Sequence, residues 1–234
     1  MQLSFGRMRL LGMKEKENIR KEPWPTKEAM EQVYEMKLWG ASSEAFYSGV
    51  GSHQRDIIKP YIETVNTFLK GFKNPIEVCD LGCGDFNIGK ELLKYAKRYV
   101  AVDIVPALIH YNKEHFKSEN LEFYCLDISK DVLPSGDCAI VRQVLQHLSN
   151  NEVQQIIEKL YAFKYIILTE HIPRGDFIPN KDIISGQGIR IKKNSGLHLL
   201  KAPFYLKVKK EKQLLTIPLE GSKGVLATTL YTLF

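Results

Sequence analysis

The sequence predicts an α/β protein whose sheet is mostly parallel. Three observations predict it. Strand-like apolar runs alternate with helical periodicity between residues 76 and 169, two strand-like runs with no helical pattern between them close the chain, and no repeat or linker divides it. Strands joined through helices lie parallel by right-handed crossovers, whereas successive strands without a crossover helix pair antiparallel. Composition agrees, since 234 residues with 44% hydrophobic and 26% charged are those of an ordinary globular chain. Collagen-like, disordered and disulfide-scaffold classes are excluded. No apolar run approaches the ~20 residues of a membrane span.

Each element has its own signal. Residues 1–40 are charged and mixed in sign, with a helix expected from Lys27 to Leu38 on an apolar face of Met30, Val33, Tyr34 and Leu38. A small-residue segment, Phe46 to His53, follows. From Ile57 to Leu69 the apolar positions recur at three and four, an amphipathic helix ended by Gly71 and Pro75. Strands are expected at Ile76–Leu81, Arg98–Ile104, Leu121–Leu126, Asp137–Val141 and Lys164–Thr169, with helices at Ile88–Lys97 and Pro106–Phe116. Ser149 and Glu152 have capping-box spacing, opening a helix that runs to about Leu160.

After Glu170 the alternation stops. Residues 172–196 are rich in Gly and Pro with little periodicity, which marks a lid or a binding loop. Phe204–Lys210 and Val225–Phe234 then read as two strands, with Gly221 to Gly224 as the turn before the last.

Net charge is +6, and Lys207 and Lys209 alternate with Leu206 and Val208 as the wet face of a half-buried strand would. Cys79, Cys83, Cys125 and Cys138 have no metal spacing and read as reduced thiols of a cytoplasmic protein. No metal site is readable. The start carries Arg7 and Arg9 without the apolar stretch of a secretory signal, and Met8 and Met13 are further candidate starts.

The chemistry concentrates in Val78-Cys79-Asp80-Leu81-Gly82-Cys83-Gly84-Asp85, a buried strand running into a glycine loop and then a helix. Glycines there let a backbone approach a ligand, and the crevice at such strand ends is where α/β sheets bind nucleotides. Asp103 ends the next strand, about twenty residues on, where an acid accepts bonds from ribose hydroxyls. A nicotinamide site is disfavoured twice. Gly89 comes too late after Gly84 for the GxGxxG spacing, and Asp80 beside the loop would repel a pyrophosphate. A phosphate-free ligand with a cationic amino-acid end suits it better, and S-adenosylmethionine is such a ligand.

Asp80-Leu81-Gly82-Cys83-Gly84, Asp103, Asp127 and Val144-Leu145-Gln146-His147-Leu148 together resemble the ordered motifs of class I S-adenosylmethionine-dependent methyltransferases. The resemblance implies a three-layer, Rossmann-like, seven-stranded sheet whose last strand inserts antiparallel. It implies a division into an N-terminal helical extension, residues 1–45, and a methyltransferase domain, residues 46–234. By that similarity Asp80, Gly82 and Gly84 lie at the methionine moiety, Asp103 with Ile104 at the ribose, and Asp127 with Ile128 at the adenine. Arg142 or Gln143 lines the methionine end. Gly51 and Ser52 resemble a glycine–serine stretch that closes over the cofactor in bacterial methyltransferases of glycan and small-molecule pathways. The pattern holding Arg190 and Ser195 resembles the same group's substrate side.

A general base belongs at the carboxyl ends of the fourth and fifth strands. His171 is the first candidate, His147 the second and Glu170 the reserve. The expected reaction is methyl transfer to oxygen, less so nitrogen, of a small molecule or sugar derivative. Arg174, Lys181, Arg190, Lys192 and Lys193 would attract an acidic acceptor. Two other readings compete: methylation of RNA or DNA, and a non-catalytic protein that binds S-adenosylmethionine. Val141-Arg142-Gln143-Val144 is not the Asp/Asn-Pro-Pro-aromatic tetrad of base-nitrogen methylation, and no Pro-Cys nucleophile exists for carbon-5 chemistry, so nucleic acid is disfavoured.

Overall fold

The computed structural model describes residues 23–41, 46–219, 221 and 224–234. The candidate starts, Arg7, Arg9 and part of the turn before the last strand lie outside the described residues. Seven strands form one sheet: β1 (Glu77–Leu81), β2 (Arg98–Asp103), β3 (Leu121–Cys125), β4 (Cys138–Arg142), β5 (Tyr165–Pro173), β6 (Lys210–Pro218) and β7 (Gly224–Thr232). Their order is β3-β2-β1-β4-β5-β7-β6. The first five are parallel, and β7 runs antiparallel to both β5 and β6. Helices α1 (Thr26–Glu35), α2 (Arg55–Lys70), α3 (Gly89–Leu92), α4 (Pro106–His115) and α5 (Asn150–Leu160) accompany the sheet.

Successive side chains of a strand point to opposite faces, so the buried strands feed two cores. Cys79, Leu81, Val100 and Val141 pack with Val153, Ile156 and Leu160 of α5. Val78, Tyr99, Ile140 and Ile167 pack with Tyr61, Val65 and Leu69 of α2. The α5 start is the expected capping box. The Ser149 hydroxyl accepts the Glu152 N–H, and the Glu152 carboxylate accepts the Ser149 N–H.

Three expectations are corrected. The helix at Ile88–Lys97 is one turn of α3 followed by a 3-10 turn, Leu93–Tyr95. Lys97 already donates its N–H to the Ile76 carbonyl, because β2 must begin opposite Glu77. Strand β5 does not end at Thr169 but continues to Pro173, held by β7 up to Gly224. Glu170 and His171 therefore lie within the strand.

The third correction concerns residues 204–210, which are not a strand before β6 starts at Lys210. Tyr205 is left-handed at φ 48, and the Leu206 N–H goes back to the Leu199 carbonyl. Phe204, Leu206 and Val208 still pack on the α5-side core, so their alternation records half-burial rather than a ladder. Lys207 and Lys209 are the wet positions of an irregular segment.

Candidate active site

The strand order reverses direction between β1 and β4, and a crevice opens at the carboxyl ends of these strands. It holds a cavity of about 400 Å³, within the range of small-molecule and cofactor sites. Two groups of residues line it, one from β1–β3 and one from β4, β5 and the irregular segment after β5.

On the first side the glycine loop is pinned to β2, since Gly82 and Cys83 both donate to the Val102 carbonyl at 2.8 and 2.9 Å. Gly82 has φ +86, and a Cβ there would collide with Val144. Gly84 donates its N–H to Asp103 Oδ2 at 3.0 Å, and Val105 donates to Oδ1 at 3.2 Å. Burial still raises the Asp103 pKa, with those N–H bonds pulling the other way. Asp80 is 6% exposed, and burial pushes it up to about 7 against the Tyr99 hydrogen bond and the Arg142 charge. Tyr99 donates its hydroxyl to Asp80 Oδ2 at 2.9 Å.

Asp127 follows β3. Burial works to raise its pKa, but the Ser129 hydroxyl at 2.6 Å and Lys130 at 3.0 Å outweigh that and hold it below the usual range. Ile104 and Ile128 supply apolar wall beside it.

Segment 46–53 is stitched over the glycine loop. The Asp85 carboxylate accepts the Ser48 N–H at 2.7 Å and meets His53 Nε2 at 2.6 Å. Asp85 returns its own N–H to the Ser48 hydroxyl, which also meets the Tyr34 hydroxyl of α1 at 3.0 Å. Arg142, at the end of β4, donates to the Ser52 hydroxyl at 3.1 Å and to the Gly51 carbonyl. Its guanidinium lies 4.8 Å from the Tyr61 ring centre, and its buried Nε has no hydrogen-bond partner among the described residues. Gly51 leaves room for the Gln143 amide, which a Cβ would strike.

The sequence marks His53 within the closing segment but does not mark Ser48, Tyr34 or Trp39 as wall residues. Asp85 carried a local signal, a carboxylate directly after Gly84 in the loop. Helix α1 lines the cavity with Thr26, Met30 and Tyr34 while its Met30 packs on Val105 and Leu108.

On the second side, His147 and His171 both line the cavity. His147 Nδ1 lies 3.2 Å from the Gly186 carbonyl, which can only accept, so that nitrogen carries the proton. Nε2 is 3.3 Å from the Gln146 amide nitrogen, and the ring sits 5.1 Å from Trp39. Burial pushes His147 down to about 4. His171 is half-buried, and burial lowers its pKa as well. Both rings are therefore neutral near pH 7.

Three expected residues are not brought into the cavity. Adjacent residues of a strand face opposite ways, so with His171 turned to the cavity, Glu170 is turned into the protein. It is 3% exposed, and burial pushes it up to about 8. Arg190 is 1% exposed and spends its guanidinium on backbone carbonyls and Asn150. The Ser195 hydroxyl is buried, accepting the Lys181 N–H at 3.1 Å. Neither Arg190 nor Ser195 faces an acceptor. Of the basic residues in that segment, Lys181 and Lys193 donate to carbonyls, and Lys192 lines the cavity.

Residues 78–163, from β1 through the glycine loop and α5, match the family described as a methyltransferase domain. By that match this stretch is similar to the class I S-adenosylmethionine-dependent methyltransferase domains. The chain is 38% identical over 60 residues to the malonyl-[acyl-carrier protein] O-methyltransferase of Acetivibrio thermocellus, covering 25% of this chain and 21% of that one. It is 30% identical over 88 residues to human acetylserotonin O-methyltransferase, covering 36% and 26%. The matches thus span about a fifth to a quarter of those relatives' length.

Two solved structures share the fold. N-methyltransferase NodS from Bradyrhizobium japonicum, in complex with S-adenosyl-L-homocysteine, aligns with TM-score 0.62 at 12% identity over 87% of this chain and 98% of its own. A SAM-dependent methyltransferase of Leishmania major aligns at 0.60 and 16% identity over 89% and 81%.

S-adenosylmethionine is the cofactor of this family, and the lining residues suit it. The buried carboxyl of Asp80 and the Arg142 guanidinium, whose Nε has no partner among the described residues, suit the ammonium and carboxylate of a zwitterionic amino-acid end. Among the described residues no helix is long and apolar enough to cross a membrane.

Proposed function

We propose that the methyltransferase methylates an oxygen, or less readily a nitrogen, of a small molecule or sugar derivative. His171 is the general base of this reading. The observation that carries it is a neutral, half-buried imidazole from β5 facing the same cavity as Asp80 and Asp103. Bound in that cavity, S-adenosylmethionine supplies a methyl group on a sulfonium, which leaves the protein two tasks: alignment and removal of the acceptor proton.

Alignment supplies the larger share, about 7–11 kcal/mol where reacting atoms are well oriented. Asp80 and Arg142 take the amino-acid end, Asp103 and Ile104 the ribose, and Asp127 and Ile128 the adenine. Gly82, Gly84, Gly51 and Ser52 let the two backbone segments close on it, and Gln143 walls the reacting end. His171 takes the acceptor proton, a contribution of about 10²–10⁴-fold. His147 is the second candidate, its proton-free Nε2 facing the Gln146 amide nitrogen. The two curated relatives are both named O-methyltransferases, which supports oxygen over nitrogen.

In this reading residues 46–234 are the catalytic domain, and α1 of the preceding segment serves as its cover. A cytoplasmic location goes with it, supported by four cysteines that are all free thiols.

The test is to incubate the protein with S-adenosylmethionine and a panel of hydroxylated sugars, carboxylates and amines, and to measure S-adenosylhomocysteine. Turnover on a hydroxyl or carboxylate acceptor that disappears in His171→Ala supports the reading. Turnover only on RNA or DNA, or full turnover in His171→Ala, refutes it.

A further inference from the structure

One short turn sets two side chains of the acceptor-side wall. It is the 3-10 turn Leu145–His147 after β4, and it presents Gln146 and His147 to the cavity. Two buried polar side chains hold it, one on each of its polar edges. The Glu170 carboxylate accepts the N–H groups of Leu145 at 3.0 Å and Gln146 at 3.1 Å. The Arg190 guanidinium donates to the carbonyls of Leu145 at 3.0 Å and Leu148 at 2.7 Å, and to Asn150 Oδ1 at 2.7 Å. Its Nε reaches on to the Lys181 carbonyl at 3.0 Å, tying the turn to the irregular segment.

We propose that Glu170 and Arg190 form a clamp that positions both cavity histidines through this turn, rather than touching substrate. This inference rests on the methyltransferase reading for its purpose, but not for its geometry. Glu170 fixes the backbone from which Gln146 projects. Gln146 Oε1 then accepts the His171 N–H at 3.0 Å, and its amide nitrogen faces His147 Nε2. One side chain so links the His147 ring to the His171 backbone, and the clamp holds that side chain's own backbone.

The side chains suit the task. A carboxylate belongs where N–H groups point and a cation where carbonyls point, as at the two ends of a helix. A turn this short has too few internal bonds to hold itself rigid. Burial dominates both groups; the Gln146 and Leu145 N–H bonds and then Arg190 oppose it at Glu170, and Glu170 opposes it at Arg190. A planar guanidinium fork is needed to meet several carbonyls at once, which a lysine cannot do.

His147 is the reporter. The turn and the Gly186 carbonyl fix it as the neutral Nδ1–H tautomer, and the charged group acting on it is Arg190 from the irregular segment. Histidine-labelled protein saturated with S-adenosylhomocysteine would be followed by nitrogen-15 NMR as pH falls from 8 to 5. In the wild type His147 should stay neutral as the Nδ1–H tautomer throughout. In Glu170→Gln and Arg190→Lys it should lose the fixed tautomer and titrate at least about one unit higher, toward the ordinary ~6.5. Affinity for S-adenosylhomocysteine by calorimetry should stay within about threefold.

An unchanged His147 spectrum in folded, ligand-binding variants would overturn the clamp. So would a wild-type His147 that titrates at the ordinary midpoint, and that result needs no variant at all. If both variants fail to fold, Asn150→Ala removes one Arg190 partner and should move His147 the same way by less; no movement would again overturn the proposal. Failure of the wild type to bind S-adenosylhomocysteine would refute the methyltransferase reading, while the spectrum without ligand still decides the clamp.

Discussion

The two sides of the cavity share one sheet edge but spend their charged residues differently. On the β1–β3 side, Asp80, Asp103 and Asp127 each stand at or just after a strand end and face the cavity. On the β4–β5 side, Glu170 and Arg190 are more deeply buried and bind backbone, and histidines and glutamines line the cavity beside Arg142 and Lys192. In the proposed reading the first side meets a ligand of fixed chemistry, so its acids sit where the strand ends place them. The second side is a loop surface that needs internal charges simply to hold its shape. A charged residue in a loop next to a site is thus as readily scaffold as contact.

This comparison can be broken experimentally, and the largest effect belongs to the acceptor side. His171→Ala should lower turnover about 10²–10⁴-fold on the true acceptor while cofactor affinity stays put. Steady-state rates beside a binding isotherm check it. Cofactor-side variants should do the reverse. Asp103→Ala or Asp80→Ala should weaken S-adenosylmethionine binding about 10–100-fold, from about 1.5–3 kcal/mol per charge-assisted bond. Retained affinity in both would mean that the strand-end acids are scaffold too.

A pH series sharpens the contrast, because one raised carboxylate lies on each side. Asp80 at about 7 and Glu170 at about 8 stand above their ordinary 3.8 and 4.5, so the folded protein holds protons that the unfolded chain has released. Their contribution to stability is present below about pH 4 and is lost as pH rises toward 8. Melting temperatures of the unliganded protein should record that loss, and less of it in Asp80→Asn. Cofactor affinity should move oppositely, rising up to about tenfold from pH 6 to 8 as Asp80 ionises against the ligand's ammonium. The Glu170 part of the stability profile should persist when cofactor is bound. Smallest of all, Ser149→Ala should cost about 1 kcal/mol in denaturant unfolding, the usual worth of an N-cap.

What was legible in the sequence follows the same divide. The glycine loop, Asp103 and the Ser149–Glu152 cap act over a few residues, so their spacing is written in one stretch of chain. The sheet's parallel part was legible because each crossover repeats the same local alternation. The length of β5 was not, since residues 170–173 are strand only because β7 lies against them from far along the chain. Nor was the role of Arg190, whose partners Leu145, Leu148 and Asn150 are remote in sequence. Phe204, Leu206 and Val208 alternate as a strand does, yet no strand edge is offered to them. Tyr34 and Trp39 were read as helix face or left aside, because a helix that covers a cavity has the same periodicity as one that covers a core.

The most direct measurement is calorimetric titration of S-adenosylhomocysteine into the wild type, Asp103→Ala and His171→Ala. The account predicts saturable one-site binding in the wild type and in His171→Ala, and a loss of about tenfold or more in Asp103→Ala. No saturable binding to the wild type, or equal loss in both variants, would contradict the division of the cavity into a cofactor side and an acceptor side.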